Sequence, residues 1–254
     1  MKSRIPLLRA VAAGIAVCAF LVLPMSSRAV NVTYYVNSSL SSLTLSGQAF
    51  GITYQPQVSG AMVDSWSGTI TGDLTGGVLT LTGGSAITAV LNPVGPFSTA
   101  PAPYPTGGDD YGATGTGFVP GGYGVVTIMG VYRSLTFDIT AGTATFGAPA
   151  SGMTFSFTAG QLDWGATTAL GPTGGTSSLI GVSGANTSMT PVILSPGTSP
   201  GDALMLPVKF HTTGSNRSED WNGWIVAVIP EPSALTLIGF GLLGLVTLRR
   251  QRSL

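Results

Sequence analysis

Charge is what this chain has least of. Asp, Glu, Lys and Arg make up 8% of its 254 residues, and the even balance of 10 basic and 10 acidic residues hides a skewed distribution. Lys2, Arg4, Arg9 and Arg28 crowd the start, and Arg249, Arg250 and Arg252 crowd the end. Between Val30 and Ile229 only Arg133, Lys209 and Arg217 are basic. They stand against Asp64, Asp73, Asp109, Asp110, Asp138, Asp163, Asp202, Glu219 and Asp220, a net of −6. Three scattered cations cannot build the Lys/Arg stripe that phosphate neutralisation requires, which excludes a nucleic-acid partner. Cysteine is nearly absent too. Cys18 is the single one, inside the first apolar run. A chain beginning at Val30 would hold no disulfide, no thiol nucleophile and no Cys-based metal site. Oxidising compartments permit disulfides without demanding them, so this does not argue against export. His211 is the only histidine. Helical periodicity is missing from the middle of the chain as well.

What is there begins with two apolar ends. Residues 1–29 read as a secretory signal peptide: a positive start at Lys2, Arg4 and Arg9, an apolar run over 10–23, and Ser27-Arg28-Ala29 with small residues at −3 and −1. Cleavage is expected before Val30. The alternative is an uncleaved membrane helix. A lipid-bearing Cys18 fits poorly, because Val17 stands where a small residue is wanted.

At the other end, 16 residues without a charge, 233–248, follow Pro230-Glu231-Pro232 and precede Arg249-Arg250-Gln251-Arg252. As a helix they would span roughly 24 Å. That is short against a bilayer core of about 30 Å, a mismatch that thinning and flanking side chains can absorb. The two prolines stop such a helix from extending backwards. The arginines hold their end on the cytoplasmic side. A buried C-terminal helix is the alternative, and the missing amphipathic period and the terminal arginines speak against it. In its order of motif, apolar run and basic end, the segment resembles the PEP-CTERM sorting signal of exported bacterial proteins. The resemblance implies recognition of Pro230, Glu231 and Pro232 by the membrane protease exosortase, with Arg249 and Arg250 as the basic end. It implies an envelope, cell-surface or matrix destination, and no activity for the rest of the chain.

Residues 30–229 form the remaining unit, long enough for one domain with its own core. Short β-branched and aromatic runs broken by Gly, Pro and Asn predict strands over 32–36, 43–45, 49–54, 61–70, 78–82 and 85–91. Further runs follow at 124–132, 133–140, 143–146, 153–158 and 160–164, then at 178–182, 191–194, 203–212 and 221–229. Leu135, Phe137 and Ile139 alternate with Ser134, Thr136, Asp138 and Thr140, the pattern of a half-buried antiparallel strand. Asp73-Leu-Thr-Gly-Gly77 reads as a hairpin loop. Residues 92–124, rich in Pro and Gly, read as a long excursion with little regular structure. The expected fold class is all-β, an antiparallel sandwich or barrel of many short strands between a signal peptide and a C-terminal membrane helix.

Candidate chemistry is sparse. Gly197-Thr198-Ser199-Pro200-Gly201 matches the nucleophile-elbow spacing, but Pro200 has no N–H to give an oxyanion hole, and a turn is the better reading. His211 has no carboxylate motif beside it, so a surface strand position is expected rather than a general base or zinc ligand. Asp109-Asp110, and more weakly Glu219-Asp220, are the candidates for calcium, a hard cation that takes oxygen ligands. Neither fits an EF-hand loop, and solvated acids are the simpler reading. Trp66, Trp164, Trp221 and Trp224 offer faces for sugar stacking, with core packing as the simpler role. Trp221 and Trp224, three apart, should face opposite sides of a strand. No catalytic, cofactor or metal residue is assigned. The expectation is an exported, exosortase-sorted envelope or matrix protein, structural or adhesive and not an enzyme. The alternative is a carbohydrate- or calcium-binding module of an extracellular polysaccharide matrix. A hydrolase would need two carboxylates facing across a cleft at about 5–10 Å.

Overall fold

The computed structural model describes residues 28–56, 61–92, 111–194, 199 and 201–230. The signal peptide up to Ser27, the Asp109-Asp110 pair, Gly197, Thr198 and Pro200 of the nucleophile-elbow match, and all of 231–254 including Glu231 and Pro232 lie outside the described residues. Among the described residues there is no helix, and none long and apolar enough to cross a membrane. The fold is all-β and antiparallel, as expected.

Fifteen strands carry it. The first six are β1 (Val30–Val36), β2 (Ser42–Ala49), β3 (Ile52–Pro56), β4 (Val63–Thr75), β5 (Val78–Leu81) and β6 (Ala86–Leu91). Then come β7 (Tyr111–Val119), β8 (Gly124–Ile139), β9 (Gly142–Thr145), β10 (Thr154–Thr168) and β11 (Gly171–Ser178). The last are β12 (Ser183–Ala185), β13 (Ile193–Leu194), β14 (Ala203–Gly214) and β15 (Arg217–Val228).

Pairing runs from β15 through β2, β3, β7, β8, β6, β4 and β1, and returns to β15. The sheet therefore closes on itself. Two long strands make this work. β8 holds β7 and then β6, and β15 holds β2 and then β1. β10 and β14 continue the sheet from β8 and β15 respectively. The gap between them is spliced by β12 and by Asn186. The Asn186 Nδ2 donates to the Pro207 carbonyl at 3.0 Å, and its Oδ1 accepts from Lys209 N at 3.0 Å. Pro207 has no N–H for a ladder, so a side-chain amide stands in for a strand there.

The core follows from the period-2 alternation of these strands. Phe137, Phe155, Phe157, Phe210 and Trp221 pack ring on ring, with Phe210 parallel to Trp221 at 5.8 Å and 9°. Trp66 meets Phe137 edge-on at 6.1 Å. Such pairs add about 0.5–1.5 kcal/mol each beyond area burial.

Several boundaries depart from expectation. Residues 49–54 do not form one run, because Phe50 and Gly51 make a two-residue turn with φ of 54° and 78° between β2 and β3. β4 runs on through Asp73-Leu-Thr75, so the hairpin turn is Gly76-Gly77 alone. Residues 111–119, inside the expected excursion, are strand β7, paired along its length with β8. The runs 124–132 and 133–140 are one strand, carried past Ser134 at φ 53°. Residues 153–158 and 160–164 likewise fall in β10, which absorbs register shifts around Ala159. The run expected as a strand over 178–182 is instead the connection between β11 and β12, with Ile180 and Gly181 in a turn.

Candidate functional site

The site is built where β8 lies beside β10. Ile128, Gly130 and Tyr132 pair with Ala166, Trp164 and Leu162, and the five side chains among them belong to the core or pack against it. Gly130 has no side chain opposite the Trp164 indole, and a Cβ added there would meet Leu162 Cδ1 at 3.0 Å. The missing side chain leaves a cleft of about 460 Å³ at this end of the closed sheet. Its rim comes from two turns. Phe50 sits in the β2–β3 turn with its ring 6.1 Å from Trp164, tilted by 52°. Asn216 sits in the β14–β15 turn at φ 59°, and its carbonyl accepts from Phe50 N at 2.8 Å. Two non-glycine residues thus hold left-handed backbone, and each fixes the other. Phe50 and Asn216 also border a smaller hollow of about 240 Å³, beside Val119 and Tyr123.

Arg217, Tyr54 and Tyr132 of the lining lead to a buried polar layer behind it. Arg217, Glu219 and Trp221 alternate inward along β15. Glu219 is 1% exposed and Arg217 12%, with Nε and Oε1 2.7 Å apart. The Nε is otherwise buried without a well-directed hydrogen bond, so this contact is a charge pairing first. Removing two charges from water is costly unless each is paired and its remaining lone pairs are met. Here they are met on the carboxylate side. Thr212 Oγ1 donates to Glu219 Oε2 at 2.9 Å, and Tyr132 OH donates to Oε1 at 3.3 Å. Trp221 Nε1 donates in turn to Thr212 Oγ1 at 2.9 Å. Tyr54 OH and Tyr132 OH lie 3.0 Å apart. Burial, then the negative charge of Glu219, push the Tyr54 hydroxyl above its ordinary pKa. Burial likewise pushes Tyr132 well up. Both are neutral hydroxyls across the physiological range. Glu219 is the one described partner of Arg217, whose side chain reaches the cleft lining.

The other candidates are dispersed. His211 lies on the outer face with Nδ1 2.8 Å from Asp220 Oδ1, the two side chains 52% and 65% exposed. The carboxylate missing from its own strand is supplied across the β14–β15 ladder. Glu219 and Asp220, adjacent in β15, point to opposite faces, one to Arg217 and one to His211, so they do not share a cation. Among the described residues no three His, Cys, Asp or Glu side chains gather to hold a metal ion. Ser199 is in a turn in which its N–H donates to Asp202 Oδ2 at 2.9 Å. Trp66 and Trp221 are core, Trp224 is half-buried, and Trp164 alone of the four lines the cleft. Asp163 is tied down on the opposite face of β10. Burial pushes its carboxyl up, but hydrogen bonds from Arg133, Thr176 and Gln161 outweigh that and leave its pKa below the ordinary value. The sequence pattern had one overlooked signal for the buried polar layer. Arg217 and Glu219 are two apart, in step with Trp221, which puts an ion pair on the inward face.

Pro230 is exposed and leaves the sheet directly after β15, beside the Gly201-Asp202 turn. The cleft is at the opposite end of that strand, at Arg217. The family model of the PEP-CTERM protein-sorting motif matches residues 228–252. That match implies an exported protein that exosortase sorts to the cell envelope or surface. No curated protein and no solved structure matches the chain.

Proposed function

We propose that a chain carrying this sorting motif works as a non-catalytic, adhesive or structural β-domain of the cell envelope or extracellular matrix, delivered there by exosortase. The observation that carries the reading is the position of the motif. The match begins at Val228, within the last strand, so the address is joined to the folded body with almost no linker. The body suits such a place. It is charge-poor, its outer faces take their polarity from Ser and Thr, and it needs no cysteine. The lining of its main cleft contains no carboxylate. Glu219, behind Arg217 and Tyr132 of that lining, is held by Arg217, Thr212 and Tyr132. Replacing the motif acid, Glu231→Ala, tests the delivery. Unprocessed protein accumulating in the membrane fraction is the expected outcome, and a variant processed and released like the parent would refute it.

A further inference from the structure

We infer that the cleft between Trp164, Phe50 and Arg217 is the adhesive site itself, and that it takes an uncharged sugar ring of a polysaccharide. This rests on the adhesive reading above and adds its ligand class.

Three observations lead there. The first is shape: the mouth of a closed sheet, of about 460 Å³, has the place and size in which β folds hold small molecules. The second is stored strain. Phe50 is an aromatic residue at φ 54°, in a region that side chains other than Gly, Asn and Asp rarely occupy. A Gly or Asn would make the same turn without that strain, so the ring at this point calls for a reason beyond folding. Its position supplies one: it is 43% exposed and leans against Trp164 at the rim. The third is the chemistry of the lining. The rings of Phe50 and Trp164, with Leu162, share the lining with the polar groups of Arg217, Asn216 and Ser177. A ligand fitting both has one apolar face and a fringe of hydroxyls. That describes a pyranose ring, whose C–H face rests on an indole while its hydroxyls meet amides and a guanidinium. The charge of Arg217 is already balanced by Glu219, so the cleft offers no net attraction to an anion. The acidic body, at −6 over 30–229, discourages uronic acids further.

The test is calorimetric titration of the full-length protein in detergent with uncharged hexose oligosaccharides, and with uronic-acid oligosaccharides as the charged comparison. Saturable binding of an uncharged member is expected. Trp164→Ala should weaken it roughly tenfold or more. Trp164→Phe should recover part of the loss, and Trp224→Ala, away from the cleft, should leave it unchanged. Gly130→Val fills the cleft from a strand position with an ordinary φ, where the end of the Leu162 side chain, 3.0 Å from the new Cβ, has to give way, and it should abolish binding while thermal unfolding stays cooperative. It serves as the second variant if Trp164→Ala does not fold. The inference is overturned if no uncharged oligosaccharide binds, if folded Gly130→Val binds like the parent, or if the uronic acids bind tighter. Glu231→Ala protein should bind sugar normally, so a failure of the cleft and a failure of the delivery reading give separate results.

Discussion

Glu219 is the residue on which the interior depends most. It is the most deeply buried charge among the described residues, and four groups converge on it or on its neighbours: Arg217, Thr212, Tyr132 and, through Thr212, the Trp221 indole. A buried ion pair adds little by comparison with a well-packed apolar pair, but removing one partner strands the other in a medium that cannot solvate it. Glu219→Ala should therefore cost about 3–5 kcal/mol in chemical denaturation, a large part of a domain's stability. Removing both charges, as Arg217→Met with Glu219→Leu, should recover much of that loss. A single variant that loses less than about 1 kcal/mol would mean the pair is solvated and the layer behind the cleft is not closed.

At the scale of the element, the turn from β2 to β3 is the place where local preference and native conformation disagree. Two-residue hairpin turns with both φ values positive favour Asn-Gly, and here the pair is Phe50-Gly51. Phe50→Asn relieves a left-handed aromatic worth about 1–2 kcal/mol and forfeits a ring contact worth about 0.5–1.5 kcal/mol. The denaturation midpoint should hold or rise. A fall of more than about 1.5 kcal/mol would show that Phe50 is a packing residue and not a strained rim residue. The same turn shows what could be read in the chain beforehand. Strands such as 135–139 and 153–157 announce themselves, because bulky apolar residues alternate with Ser, Thr and Asp. The turn inside 49–54 does not, since an aromatic residue argues for strand and only the tertiary pairing of Phe50 with Asn216 overrules it. Strand β7 is hidden for the opposite reason. Gly112, Gly115 and Gly117 lower its β-propensity, and its partners β3 and β8 supply the register instead. The join at Ser134 looks like a boundary in sequence and is only a local kink, because β8 must pass from β7 to β6 along one edge. The cleft was legible only in its Trp164. Gly130, Phe50 and Arg217 meet it through ladders between residues far apart in the chain.

On the scale of the whole molecule, the alkaline limit of stability should be set by buried tyrosine hydroxyls. Burial pushes Tyr111 up to about 12 and raises Tyr34, Tyr54 and Tyr132 as well. An unfolded tyrosine titrates near 10. The folded state binds these protons more tightly, so their contribution is complete below pH ~10 and is lost as the pH rises toward ~12 and beyond. Unfolding midpoints should be nearly flat from neutral pH to about 10 and then drop, and Tyr111→Phe should soften the drop. A midpoint that stays level to pH ~12 would mean these rings are hydrated.

The course of β15 fixes a direction for the whole body. Its 12 residues start at the cleft and stop at Val228, two residues before Pro230, a rise of roughly 35 Å. Tyr35 of β1 lies next to Val228, so both the first strand and the last emerge from the same pole. A grip on the chain just after Pro230 would hold the body at the pole away from the cleft, like a cup set on a shelf. Neighbouring copies held this way would stand side by side with every mouth facing the surroundings, and no hinge would be needed to aim them.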